Sequence, residues 1–406
     1  MPDPLSPTPA MPAQAVDVSL PGPPVPWAST SVPAKRDGPP YHMTEMIEAE
    51  PAFARRLLAR LAVDPAVVRL ADAVRHAASN GDLVLTGCGT SEHGALAAAE
   101  ILRAALRREG LGSALVPAVR QAFELALDRP RDGLVIGVSH EGGTWATNLA
   151  LQDARTAGAR TALITVTDRS PAAALSDPGL VVTTSELDQS WCHTIGYLSP
   201  IVVAIAVAAR ILGRPTDGEA VERLLGSGLA LTEEAESIAA QIAEARHLVV
   251  VASGIDRAAA RELVLKAEEG AWIPSAFREL ETMLHGHLAA TDASTAFLLV
   301  LADPIRRPDR VARARQLLAA AREIGLRPAA IVAAGVDGML DRDLTPGGRL
   351  VTPEPSGLGA PLPAILGPIV PLQLLTERIA RARGTDPDPI RRDDERYLAA
   401  AQVVEG

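Results

Sequence analysis

The apolar run Leu134–Val138 stops in Ser139-His140-Glu141-Gly142-Gly143-Thr144 and passes straight into an alanine-rich amphipathic stretch closed by Gly158. An apolar run of strand length, a Gly/Ser/Thr loop and a helical period, in that order, read as a strand, a tight turn and a helix N-terminus. The pattern recurs along the chain. Residues 82–86 form a short apolar run ending in Gly87-Cys88-Gly89-Thr90-Ser91, with a helical period over 92–108. Further strands are expected at 114–117, 161–166 and 181–182, and helices at 43–62, 64–79 and 201–212. After Gly213-Arg214-Pro215 a long helix is expected over 219–246. A second cycle follows, with strands at 247–252, 295–301, 328–333 and 349–351 and a helix from Ala258. Val84-Leu85-Thr86-Gly87-Cys88-Gly89 and Val250-Val251-Ala252-Ser253-Gly254 are the clearest trace of an internal repeat. Strands alternating with helices at this spacing imply an α/β protein of two similar doubly wound units, each a parallel sheet flanked by helices. The expected divisions are a disordered Pro-rich tail over 1–41, a first unit with its N-terminal helices over 42–215, a second over 216–385, and a C-terminal segment over 386–406.

Composition narrows the functions open to such a chain. A formal net charge of −10 over 406 residues argues against a general nucleic-acid surface, which needs clustered Lys and Arg. Arg306-Arg307 and Arg391-Arg392 read as solvated surface. Cys88 and Cys192 make no disulfide framework, so a reducing cytoplasm is expected. The most apolar run, 201–212, falls short of the roughly 20 residues that span a bilayer, so no membrane partner is expected. The first forty residues have neither a basic start nor a continuous apolar stretch, unlike a secretory signal. They suit a disordered tail, with a role as a proline-motif ligand as the alternative.

Ligands of open parallel sheets bind outside the carboxyl ends of the strands, and helix N-termini there attract anions. Ser139, His140 and Thr144 add side-chain donors, which points to an oxyanion such as phosphate. Glu141, in the same loop, opposes that reading. Ser91 and Ser139 could equally be N-caps. Glu269, taken alone, reads as a surface carboxylate of a helix. Trp145 and Trp191 read as packing residues before sugar-stacking platforms, and Cys88 and Cys192 as small buried residues. His285-Gly286-His287, with His140 and His193, lacks the carboxylates or cysteines of a metal site, so no metal is expected.

Together these residues resemble the sugar isomerase (SIS) domain, in a tandem arrangement like the isomerase half of glucosamine-6-phosphate synthase. Residues 43–51 resemble its opening segment. Residues 87–91 resemble its first phosphate loop, and 139–144 its second, usually Ser-Gln-Ser-Gly-Glu-Thr. Residues 262–292 follow its Glu-Gly-Ala-Leu-Lys-Leu-Lys-Glu through His-Gly-Pro-Leu-Ala segment without a gap, and Pro371-Leu372-Gln373-Leu374-Leu375 its last helix. The resemblance implies that Thr90, Ser91, Ser139, His140 (where Gln is usual) and Thr144 hold a sugar phosphate. It implies Glu269 as the base that moves a proton between C1 and C2, and His285 as the ring-opening group supplied by a neighbouring subunit. A homodimer with shared sites and no cofactor follows from it.

Four departures bear on the chemistry. The chain starts Met-Pro, without an N-terminal cysteine nucleophile, so ammonia release from glutamine is not expected. Glu268 stands where the family has lysine. Adjacent helical residues point about 100° apart, so only one of Glu268 and Glu269 need face the substrate; Glu268 and Thr194 are expected behind the contact residues. Asp388-Pro389-Ile390-Arg391-Arg392 replaces the family's C-terminal lysine segment, and no lysine follows Lys266, which excludes a Schiff base through that terminal lysine. Glu141 replaces a serine. A carboxylate about 5 Å from phosphate would cost ~3 kcal/mol per unit of phosphate charge at an effective dielectric near 20. Glu141 therefore points away, or binds a substrate hydroxyl or amine, or the ligand is not a phosphomonoester. The expected function is a sugar-phosphate or amino-sugar-phosphate isomerase, or a deaminase or deglycase on the same fold. A non-catalytic sugar-phosphate-binding regulator is the alternative.

Overall fold

A computed structural model describes residues 35–111, 117–128, 130, 132–184 and 188–405. Two helices, α1 (His42–Leu61) and α2 (Pro65–Asn80), come first. The Asp64 carboxylate starts α2 by accepting the Ala66 N–H at 2.8 Å, with Pro65 where a helix has no need of an N–H. The first α/β unit is β1 (Leu83–Gly87), α3 (Thr90–Arg108), β2 (Ala118–Gln121), α4 (Ala122–Leu127), β3 (Leu134–Val138), α5 (Trp145–Thr156), β4 (Arg160–Thr165), α6 (Pro171–Ala174), β5 (Val181–Thr183) and α7 (Ile195–Ile211). The second begins with α8 (Gly218–Leu229), α9 (Thr232–Ala243), β6 (His247–Ala252), α10 (Arg257–Ala271), β7 (Ser275–Glu279), α11 (Leu280–Met283) and β8 (Thr295–Leu301). It continues through α12 (Arg307–Glu323), β9 (Ala329–Ala333), α13 (Ala334–Asp337), β10 (Gly348–Thr352), α14 (Leu362–Leu366), α15 (Ile369–Arg383) and α16 (Glu395–Glu405).

The sheets run β2-β1-β3-β4-β5 and, from the corresponding edge, β7-β6-β8-β9-β10, with every pairing parallel. The two orders are the same, so the expected pair of doubly wound units is present. The order reverses direction at β1/β3 and at β6/β8, the places where open sheets make ligand crevices. Pairing Leu85 with Ile136 and Thr86 with Gly137 sets the ends of β1 and β3 level, which brings residues 87–91 beside 139–144. Apolar nearly all round, α7 is buried nearly all round and packs on α1, α2 and α3. Pro200 lies within this helix and touches Gly94 of α3, where a Cβ would come within 2.6 Å of its ring.

Several boundaries differ from expectation. The single helix over 219–246 is two, α8 and α9, broken where Gly226 and Gly228 weaken helical preference and Gly228 lies against Val370 of α15. Of the strand expected at 114–117, residues 114–116 lie outside the described residues, and the observed strand is Ala118–Gln121. Edge strand β7 and helix α16 were not foreseen. Within the expected tail, residues 1–34 lie outside the described residues; Tyr41 is buried and Arg36 pairs with Glu45 at 2.8 Å. The arginine pairs are not simply solvated either: Arg307 pairs with Glu354, Arg391 lies over Trp272 and Tyr397, and Arg392 lies over Trp191. Among the described residues, no helix is long and apolar enough to cross a membrane.

Candidate functional site

Helices α3 and α5 start at the β1/β3 crevice without a side-chain cap; their N-caps are Gly89 and Thr144. The N-cap reading of Ser91 and Ser139 is thereby replaced. Buried Ser139 shapes its own loop, its Oγ accepting the Gly142 N–H at 3.1 Å and donating to Thr144 Oγ1 at 3.5 Å. Gly142 has φ +71°, and a Cβ there would come within 2.1 Å of Ser170 Oγ, so the turn tolerates glycine alone. Thr144 is exposed, Ser91 and Glu141 partly so. The uncapped N–H groups and these hydroxyls leave the crevice rich in donors.

His140 is not a free phosphate donor. Its Nε2 accepts the Asp188 N–H at 3.1 Å, which assigns the ring proton to Nδ1, and its ring lies 4.7 Å from that of His193. Burial, then His193, depresses His140 to about 3; burial, then Lys266, depresses His193 to about 3. Both are neutral at ordinary pH. Buried Asp188, unnoticed in the sequence, accepts N–H groups from Thr194 at 2.6 Å, Gly196 at 3.1 Å and Ser190 at 3.4 Å. Thr194 also donates its hydroxyl to Asp188 at 3.4 Å, and its carbonyl accepts from Gln373. Thr194 is wholly buried.

The second unit lays α10 on α3. Thr90 Oγ1 donates to Glu262 at 3.1 Å and His93 Nδ1 to the same carboxylate at 2.8 Å. Thr90 is thus committed to a protein carboxylate, a correction to its role as a direct phosphate ligand. Lys266 Nζ lies 3.6 Å from Glu262 and 2.5 Å from Glu269, four and three residues away along one helix face. The Lys266 side chain is wholly buried, and that of Glu269 is 23% exposed. Burial would lower Lys266, but the two carboxylates hold it above its usual range, so it stays an ammonium. Burial would raise Glu262, yet Lys266 and His93 hold it low. In Glu269 burial wins over Lys266, and its carboxyl is raised. Sequence reasoning missed Glu262, Lys266 and His93; buried charges survive in partnered groups, and here the partners lie 172 residues apart.

Glu268 faces away, accepting the Ser275 N–H at 3.1 Å, so it serves the edge strand β7. His285 does not meet Glu269 within the chain. It is 70% exposed, its Nε2 2.8 Å from Glu281, which Arg313 and His285 hold down to about 2. The chain after α15 ties the end of α10 to the start of α1: Thr385 donates to the Gly270 carbonyl at 2.8 Å, and Asp388 accepts the Met43 and His42 N–H groups. Trp145 is 61% exposed, against the packing role expected of it. Cys192 is buried and Cys88 half-buried, both as free thiols. Among the described residues, no group of three or more His, Cys, Asp or Glu is arranged to hold a metal ion. A cavity of about 640 Å³ between α1, α7 and residues 213–219 is lined by none of the expected site residues.

The β6/β8 crevice of the second unit is filled from within. Asp256 Oδ2 accepts the Ala302 and Asp303 N–H groups at 2.9 and 3.0 Å, and Asp303 accepts the Ile255 N–H at 3.1 Å while pairing with Arg310. A Cβ on Gly254 would come within 2.0 Å of Asp303 Oδ2. Protein carboxylates occupy the place a ligand anion would take, and the open crevice is that of the first unit.

Two such sheets in one chain agree with the tandem SIS fold that the motifs resemble. Among solved structures, the chain is similar to the C-terminal domain of glucosamine-fructose-6-phosphate aminotransferase from Francisella tularensis, with 18% identity and TM-score 0.72 over 87% of this chain and 99% of that one. It is similar to the tagatose-6-phosphate ketose/aldose isomerase from Escherichia coli, with 17% identity and TM-score 0.69 over 88% and 97%. Glucosamine-6-phosphate deaminase from Thermotoga maritima matches with 17% identity and TM-score 0.60 over 86% and 96%. No protein-family profile matches the chain, and no curated protein sequence does.

Proposed function

We propose that the protein moves a proton between C1 and C2 of a phosphorylated sugar or amino sugar, with Glu269 as the base. The observation that carries this reading is the cluster joining Glu269, through Lys266 and Glu262, to Thr90 at the open crevice. A carboxylate raised by burial above its usual range and partly exposed suits taking a proton and giving it back. The proton leaves one carbon for the Glu269 carboxylate and an enediolate remains; the hydroxyl proton passes from one of its oxygens to the other, and the same carboxylic acid returns its proton to the neighbouring carbon. Lys266 orients that carboxylate and, staying an ammonium, does not form a Schiff base. Ser91, Thr144 and the uncapped N–H groups of α3 and α5 hold the anionic end, with Ser139 and His140 shaping the loop. His285 opens the ring in a neighbouring subunit. Neighbouring folds carry isomerase, aminotransferase and deaminase names, and amine loss after the same proton transfer is the variant chemistry that Glu141 favours.

Incubation with fructose 6-phosphate, glucosamine 6-phosphate or a fructosamine phosphate in deuterated water is expected to give label at C1 or C2 by NMR. Glu269→Gln should slow that exchange at least a hundredfold with binding retained. Full exchange in the variant would sink the mechanism. The 2.5 Å Lys266–Glu269 contact favours a second reading, a non-catalytic sugar-phosphate regulator with its carboxylate sequestered. Binding without label in the wild type would select it.

A further inference from the structure

With four Trp, four Phe and three Tyr in 406 residues, the chain leaves two rings in water side by side. Trp145 is 61% and Phe123 40% exposed, their centroids 6.0 Å apart and their planes tilted by 34°. Both border the open crevice. Trp145 begins α5 directly after Thr144. Phe123 is the second residue of α4, which starts where β2 ends, and Gln121 at that strand end reaches Cys88 Sγ in the first loop at 3.6 Å. Leu127, 67% exposed and four residues after Phe123, continues the strip along α4. Between Glu141 and Trp145 lie Gly142, Gly143 and the exposed Thr144, and a Cβ at Gly143 would meet nothing within 4 Å. At Gly143 the loop leaves open space just before the start of α5.

We propose that Trp145 and Phe123 form a shelf for a planar ring attached at the anionic end of the ligand, so that the substrate is a sugar phosphodiester bearing an aromatic group. The sugar in this statement rests on the reading given under Proposed function; the shelf and the diester rest on the loop. Offset rings at this spacing suit stacking on a third ring. Three side chains fall far short of the roughly 800 Å² per partner of a stable protein interface, so a small ring matches the strip better than a second copy of the chain.

The test compares methyl phenyl phosphate with dimethyl phosphate, which share one charge and differ by the ring, in ligand-observed NMR titrations of the full chain. The phenyl ester is expected to bind about tenfold more tightly. That ratio should fall to near one in Trp145→Ala and partway in Phe123→Ala. Equal binding of the two esters, binding of neither, or a preference that survives both substitutions overturns the shelf. Glucosamine 6-phosphate and its phenyl diester form the second arm. If neither sugar binds while the phenyl preference holds and depends on Trp145, the shelf stands and the sugar reading falls.

Discussion

His140 and His193 lie ring to ring, and their neutrality has a consequence for stability. Each titrates near 6.5 when exposed and near 3 in the folded chain. A group whose folded pKa is depressed stabilises the fold above its unfolded pKa, and that contribution is lost as pH falls through the window from about 6.5 to 3. At pH 5 the loss from one such ring is at most about 2 kcal/mol. His140→Gln keeps an acceptor for the Asp188 N–H and removes the titration. The urea midpoint of wild type should therefore drop more between pH 7.5 and pH 5 than that of the variant. Equal drops would assign the acid sensitivity elsewhere. The sequence marks His140 as an odd residue in a phosphate loop. Its actual partner is a backbone N–H 48 residues away, which no local pattern reports.

At the scale of elements, the two units share one strand order and differ in what fills the crevice. Ser and Thr hydroxyls line the first, and Asp256, Asp303 and Arg310 plug the second. Burial, which two backbone N–H groups only partly offset, lifts Asp256 to about 7, and its Oδ1 has no partner. Here the sign is opposite to that of the histidines. A raised folded pKa stabilises below the ordinary value of 3.8, and the contribution is lost as pH rises to about 7. Asp256→Asn imitates the protonated form. Denaturation curves of variant and wild type should nearly coincide near pH 4 and diverge toward pH 8, the variant being more stable by up to about 4 kcal/mol. A variant less stable than wild type at pH 8 would contradict this. Elements with strong apolar runs were legible in the sequence: β6 and β8 fall at their expected bounds. Edge strand β7 was not, because its residues are half-buried or exposed and show no clean alternation. The break between α8 and α9 was missed because its cause, the close approach of Val370 to Gly228, is tertiary.

At the scale of the whole molecule, Glu269, the proposed base, and the crevice come from different units, and His285 meets neither. The fold was legible because the motifs keep their order and spacing; the link from the Glu262–Lys266–Glu269 face to Thr90 and His93 was not, because it forms only where α10 packs on α3. His285 sits on the surface with Glu281 and Arg313 around it, where it can act in a second subunit. This makes a prediction about mixtures. Glu269→Gln and His285→Ala should each be nearly inactive alone. If a two-fold dimer shares its sites, each mixed dimer has one site with both substitutions and one with neither. Refolding the variants together in equal amounts then makes half the dimers mixed, and one in two of their sites intact. Activity should return to roughly a quarter of wild type, with proton exchange at C1 or C2 as the readout. Refolding each variant alone should restore nothing. If the mixture also stays inactive while His285→Ala remains dead, His285 serves its own chain and the shared site is wrong; if His285→Ala is active by itself, ring opening belongs to another residue.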